Sequence, residues 1–359
     1  MENIVKPMEN IIKAAVERGA SDLHIKAGDV FRARIDGVLK PLTKQRLTPE
    51  QTRAIALRMI PTEEDRKRID SLRDYDCSWG APGIGRFRVN ILRQRSSFMI
   101  VMRVIPFDVP TLERLNLPQV LARIAEREDG LVLVAGGAGV GKTSTIAALV
   151  HHINSTQTRH IVVLEDPIEF LHRDAMSSVT QREVGVDTTS FATGLRAAVR
   201  QDPDVIVLGE LPERDTLDTA LRAAETGHLV ITAVPAPDAI HAVAHVIAMF
   251  PADQQELVRL RISETLEAVI AQRLVPQADG EGRSAVVEVL VTTPAIREML
   301  KDPGRMAEIP DELARGRDRH GTQTFDQHLA DLVEAGVVTA DVARASGQMP
   351  ALGVPGGRL

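Results

Sequence analysis

GGAGVGKTST, residues 136–145, follows the apolar run Leu131-Val132-Leu133-Val134-Ala135 and precedes a helical pattern over 146–153. A buried-type strand, a glycine-rich turn and a helix, in that order, form a phosphate cradle. Gly136, Gly141, Lys142 and Thr143 satisfy G-x-x-x-x-G-K-[ST]. Glycines let consecutive backbone N–H groups point into one concavity around a β-phosphate, with the helix N-terminus behind them. Gly137, Ala138, Gly139, Val140 and Ser144 complete the nucleotide-binding stretch. Lys142 is placed to neutralise β/γ charge, and the Thr143 hydroxyl to ligate Mg²⁺. The expected ligands are ATP and Mg²⁺.

Two acidic sites accompany the loop. LEDPIEF (164–170) follows the next strand pattern, so Glu165 and Asp166 emerge at the carboxyl edge of a sheet, where ligands sit in wound α/β folds. Glu165 is a candidate for polarising an attacking water. DVIVLGE puts Glu210 at the same end of a further strand, as a Walker B acid near Mg²⁺. Either acid alone is more simply a solvated or capping residue; beside a phosphate loop the pair gains meaning. His228, in ETGHLVITAV, stands at a strand start, and this type of domain is expected to bring it near the phosphates.

Composition narrows the class. The 359 residues suffice for two domains, and 44% apolar with 26% charged residues is an ordinary globular balance. A formal charge of −6 argues against nucleic acid as a partner. The single cysteine, Cys77, precludes an internal disulfide or a four-cysteine zinc site and fits a reducing cytosol. The ten histidines lack metal-ligand spacing, so a protein-held metal site is not expected. No apolar run approaches the roughly 20 residues that span a bilayer. The start MENIVKPMEN has no long apolar run, so a signal peptide is not expected either. The expected location is cytoplasmic, with any membrane contact made through partners.

Residues 1–105 carry an α+β pattern. Ile11, Ile12, Ala15 and Val16 have helical spacing with Gly19 as a stop; SDLHIKAG and FRARIDGVLK alternate, with Asp36-Gly37 as a hairpin signal. A second helix is expected from Pro49, and RFRVNILRQR and MIVMRVI as paired strands. The charge run 63–68 fits a solvated helix face. Pro106, Pro110 and Pro118 mark 106–118 as a linker. Over 119–347 strands and helices alternate, predicting an α/β domain with a mainly parallel sheet. From Asp253 onward helices are expected, including DQQELVRLRISETLEAVIAQRL, with SAVVEVLV as a strand among them. The Gly- and Pro-rich end, 348–359, is expected to be a disordered tail.

With these residues in view, the chain resembles the PilT-type ATPases of twitching motility, within the secretion-ATPase superfamily. The resemblance extends from ASDLHIKAG to about residue 347. It is carried by GRFRVN, the phosphate loop, VVLEDPIEF, QREVGVDTTSFATGLRAAVRQDPDVIVLGE, AAETGHLV, TPAIREMLK and TQTFDQHL. It implies a homo-hexameric ring whose subunits pair a smaller PAS-like domain with a RecA-like ATPase domain. It also implies a type IV pilus inner-membrane platform protein as partner and a place at the inner face of the membrane. By this resemblance Glu165 is the catalytic acid, Glu210 the Walker B glutamate, and Arg88 and Arg103 arginines offered to the phosphates, Arg86 being a weaker candidate. Residues 295–301 match the start of a motif associated with retraction, which Pro303 interrupts.

The chain also departs from the family. TAVPA replaces the usual GTLHT, putting Pro235 where a histidine is expected, and His245 stands for an arginine. Ser96 stands where arginine is usual, and Leu211-Pro212-Glu213 follows Glu210. The expected function is therefore an ATP-hydrolysing pilus retraction motor with reduced turnover. The alternative is a nucleotide-binding accessory or regulatory paralog with little hydrolysis. An assembly ATPase is disfavoured by the single cysteine, and a DNA enzyme by the acidic balance and scarce aromatics.

Overall fold

The computed structural model describes residues 2–35, 37–106, 108–280 and 282–346. Asp36 of the hairpin signal, Phe107 and the segment 347–359 lie outside the described residues, and with them the expected tail. The described residues form two compact units, those up to 108 with 167–171, and those of 109–166 with 172–346.

The first unit opens with helix α1 (Glu2–Glu17). Met8, Ile12 and Ala15 recur at helical spacing and are buried, and Gly19, at φ +74°, ends the run. Strands β1 (Ala20–Lys26), β2 (Arg32–Ile35) and β3 (Val38–Pro41) precede helix α2 (Pro49–Met59). Thr48 and Gln51 close a capping box at the start of α2, with Pro49 in its first turn. The charge run forms helix α3 (Glu63–Lys67), which buries nothing. Strands β4 (Asp74–Ala81), β5 (Gly85–Gln94) and β6 (Ser97–Ile105) complete an antiparallel sheet in the order β3-β2-β1-β6-β5-β4. β4 escaped the sequence reading because DYDCSWGA opens with acids and contains a glycine, both poor strand signals.

The second unit holds helix α4 (Val120–Ala125), β7 (Gly130–Ala135), helix α5 (Lys142–Thr156), β8 (His160–Glu165) and β9 (Ser178–Glu183). Helix α6 (Phe191–Ala198), β10 (Val205–Leu208), helix α7 (Arg214–Glu225), β11 (Leu229–Val234) and helix α8 (Ala239–Ala248) follow. Helix α9 (Gln255–Thr265), β12 (Leu266–Pro276), β13 (Arg283–Val291), helix α10 (Pro294–Lys301) and further short helices to Ala345 complete it. The sheet order is β13-β12-β7-β11-β10-β8-β9, parallel except for β13. Leu131 and Leu133 of β7 face one core and Val132 and Val134 the other. Cover on both faces explains why such strands are continuously apolar.

Two expectations need correction. LEAVIAQRLVP is strand β12, not the continuation of helix α9. Helical spacing can be traced across the junction, but Leu266 leaves the helix with extended backbone and the chain then pairs with β7. The proposed linker is also not free along its length: Leu112 and Leu117 are buried in the core beneath α4 and α5. Its prolines punctuate an apolar pattern and do not exclude it from packing.

Candidate nucleotide site

The parallel register places the expected groups. β7 and β11 are in step, Val234 opposite Ala135; β11 and β10 are in step to Thr232 and Leu208; β10 and β8 are in step to Leu208 and Leu164. Gly136 and Pro235, which follow their strands, Glu210, two residues past β10, and Glu165, the last residue of β8, therefore share the carboxyl edge of one sheet. Neighbouring strands lie ~4.8 Å apart, so Glu210 stands on a strand ~10 Å from the phosphate-loop strand and Glu165 on one ~14 Å away. Gly209, between Leu208 and Glu210, donates its N–H to the Leu164 carbonyl (2.8 Å), tying the two acid-bearing ends together. The sheet thus brings together the loop and both acids.

The loop itself needs its glycines at specific places. Gly136 (φ +156°), Gly139 (+71°) and Gly141 (+90°) take conformations that side chains resist. Gly141 caps α5, so Lys142, Thr143 and Ser144 lie in the first turn, with N–H groups unsatisfied by the helix. The Lys142 ammonium donates to the Gly136 (2.9 Å) and Gly137 (2.8 Å) carbonyls across the loop. Partial burial lowers its pKa, the sign expected of a cation withdrawn from water without a carboxylate partner. Beside Gly139, Val140, Gly141 and Ser144 opens a cavity of about 320 Å³, also lined by Arg114 and Gln277.

Glu165 is half-buried at the end of β8, and its Oε2 accepts from the Gln181 amide at 3.3 Å. Gln181 in turn accepts the His172 N–H at 2.9 Å, which fixes which end of its amide faces Glu165. Glu210 is exposed. Arg88 and Arg103 are in the first unit, directly opposite each other on β5 and β6 and both exposed; Arg103 also pairs with Asp22 at 3.2 Å. Two cations facing each other across strands are unfavourable, and the Asp22 carboxylate beside Arg103 offsets part of that repulsion.

His228 requires correction. It precedes β11, and its carbonyl accepts from Gly130, the first residue of β7. It is therefore at the amino edge of the sheet, about 20 Å from its own chain's phosphate loop at ~3.3 Å per residue. Its Nδ1 lies 2.9 Å from the Ala223 carbonyl, a local contact that caps the end of α7.

The loop after β11 differs from the phosphate loop in kind. Ala236 donates back to the Val234 carbonyl (3.2 Å) across Pro235, a three-residue turn. The Asp238 side chain caps α8, Glu288 accepts the Ala239 N–H at 2.8 Å, and Arg273 donates to the Pro237 carbonyl at 3.4 Å. Burial raises the Glu288 pKa. His245 sits half-buried within α8.

The family model for type II/IV secretion system proteins matches residues 1–344. The chain belongs to this family. It is 41% identical to the type IV pilus ATPase PilU of Pseudomonas aeruginosa, over 94% of this chain and 87% of that protein. It is 37% identical to the type IV pilus retraction ATPase PilT of the same organism, over 95% and 98%. A crystal structure of the pilus retraction motor PilT with bound ADP matches at 40% identity and a TM-score of 0.81, over 95% of this chain and 97% of that one. Family and phosphate loop together make this chain a secretion-type P-loop ATPase. Among the described residues no helix is long and apolar enough to cross a membrane.

Sequence reasoning missed Gln181 and Gln272. The first lay in a strand that was not recognised, the second in one assigned to a helix. A lone glutamine in an otherwise apolar run was the available signal for Gln272.

Proposed function

We propose that this protein is a subunit of a homo-hexameric ring that hydrolyses ATP to drive type IV pilus retraction, with reduced turnover. The observation that carries the reading is the shared carboxyl edge on which the phosphate loop, Glu210 and Glu165 stand with Pro235 between them. The likeness to PilT and PilU supports the pilus as the site of work, and with it an inner-membrane platform protein as partner at the cytoplasmic face. The first unit is the PAS-like domain of this scheme, and Arg88 and Arg103 are its arginines for the γ-phosphate.

Lys142 and the N–H groups of 139–143 hold the β- and γ-phosphates, and Glu165 orients the attacking water, with Gln181 aligning its carboxylate. Thr143 and Glu210 supply hard oxygen donors, the set Mg²⁺ takes alongside phosphate oxygens, and they would hold that ion. Bound there, Mg²⁺ would neutralise charge on the transferring phosphoryl group. Pro235 offers this edge no donor, since its ring bears no N–H. The turn at Ala236 spends the next N–H on Val234.

That turn also supports a second reading, an accessory ring subunit that binds ATP and barely hydrolyses it. Steady-state ATPase activity of the purified full chain, with oligomer mass measured in the same buffer, tests both. A hexamer with measurable, Glu165-dependent turnover supports the motor; binding with no turnover supports the accessory subunit. A monomer without nucleotide affinity defeats both.

A further inference from the structure

We propose that Gln272 is the positioning residue of the phosphate loop, holding its N–H groups in the arrangement that receives the β-phosphate. Gln272 is 2% exposed, a polar side chain in the middle of β12. Ala271 pairs with Ala135, so Gln272 lies beside Gly136 as the chain leaves β7 for the loop. Its side chain points to the same face as Ala268 and Ile270, toward α5.

Both ends of the amide are used. Nε2 donates to the Val140 carbonyl within the loop, and Oε1 accepts from the Thr145 hydroxyl in the first turn of α5 at 2.7 Å. One side chain thus joins the turn of the loop to the helix that starts from it. The Val140 bond turns that carbonyl toward the sheet, away from the concavity where phosphate oxygens would meet it as a like charge. Neither bond is available to an apolar residue of the same length.

The signature glycines share this contact. A Cβ on Gly136 would stand 2.9 Å from the Gln272 carbonyl, and one on Gly141 3.2 Å from its Nε2. Cβ atoms on Gly137 or Gly139 would meet nothing within 4 Å. The two glycines that define the motif are therefore those pressed against Gln272, so motif and strand form one unit although more than 120 residues separate them.

The proposal rests on the loop being the nucleotide site, and the experiment separates the two. ADP and ATP affinities of the full chain are measured by titration calorimetry with Mg²⁺ present, alongside steady-state kinetics. Gln272→Met keeps length and removes both bonds, leaving the part-buried Val140 carbonyl without this donor. Both affinities are expected to fall by about 10- to 100-fold. Because the loop holds the β-phosphate in ground and transition states alike, KM should rise while kcat stays within about threefold. Thr145→Val should weaken ADP by about fivefold, and add less than about twofold in the Gln272→Met background, since it acts through the same amide. Gln272→Met with wild-type ADP affinity overturns the proposal if Lys142→Ala loses ADP. If Lys142→Ala also retains it, the nucleotide-site reading itself fails. Should Gln272→Met not fold, Thr145→Val decides, and ADP affinity unchanged in that variant overturns the proposal. A fall in kcat at constant KM overturns it too.

Discussion

The loops after β7 and β11 start from neighbouring strands in the same register and reach the same edge of the sheet, yet they present opposite chemistry. The first carries glycines at positive φ, which turn N–H groups outward, and its carbonyls are occupied by Lys142 and Gln272. The second carries Pro235 and Pro237, and its Ala236 N–H is consumed in a tight turn. One loop is a set of donors awaiting an anion; the other withholds donors. Position in a fold therefore assigns the opportunity for chemistry, and a few backbone-defining residues decide whether it is taken.

The comparison breaks most sharply if the phosphate loop is not the site. Lys142→Ala is expected to reduce ATP turnover by about 10²- to 10³-fold while leaving the circular dichroism spectrum unchanged. Glu165→Gln or Glu210→Gln should lower turnover by roughly 10² or more with ATP still bound, measured by single-turnover kinetics and nucleotide titration. Variants that hydrolyse like the unaltered protein would return these acids to the class of solvated strand-end residues.

A stability measurement tests the loop's construction. Gly136→Ala would push a Cβ to 2.6 Å from Val140 Cγ2 and 2.9 Å from the Gln272 carbonyl at a positive φ, and should cost about 2 kcal/mol or more in urea unfolding. Gly137→Ala has open space and should stay within about 0.5 kcal/mol.

The second loop is tested in the gaining direction. Pro235→His, combined with Ala236→Thr, supplies a side-chain donor to the edge and should raise kcat by about tenfold with ATP affinity unchanged. No gain would show that the proline turn does not limit the chemistry.

The smallest effect near neutral pH comes from behind the sheet. Val287, the cross-strand partner of Gln272, donates its N–H to Nδ1 of His328, which is 4% exposed. Burial lowers the His328 pKa to about 4, and burial with the nearby His151 lowers that of His172 to about 4. A histidine depressed from 6.5 in the folded state contributes stability that is complete above 6.5 and lost as pH falls toward 4. Stability against thermal unfolding should fall across that window by up to about 1.4 kcal/mol per pH unit for each ring. His328→Asn should flatten the acid slope; an unchanged slope would remove His328 from the account.

Much of the site was legible in advance because its signals are local. Gly136, Gly141, Lys142 and Thr143 lie within eight residues, and the backbone conformations the loop needs follow from glycine chemistry alone. Glu165 ends one short apolar strand and Glu210 closely follows another, and the length and direction of these strands place both acids at one edge once the sheet is parallel. His228 was misplaced for a related reason: a motif records that a residue accompanies a strand but not which edge it occupies, and here it precedes the strand where the loop follows it.

The sequence by itself determined the glycine loop between strand and helix, the placing of Glu165 and Glu210 at strand ends, the alternation of strands and helices and a loop at 235–237 held by two prolines, since each is written in contiguous residues and their conformational limits. Only the tertiary structure decided that 266–276 is a strand, because its apolar residues fit helix and strand alike until β7 offers backbone partners. It alone showed that Leu112 and Leu117 belong to a core and that Gln181 meets Glu165. It alone seated Gln272 against both signature glycines, since a hydrogen bond across more than 120 residues leaves no periodic trace in the chain.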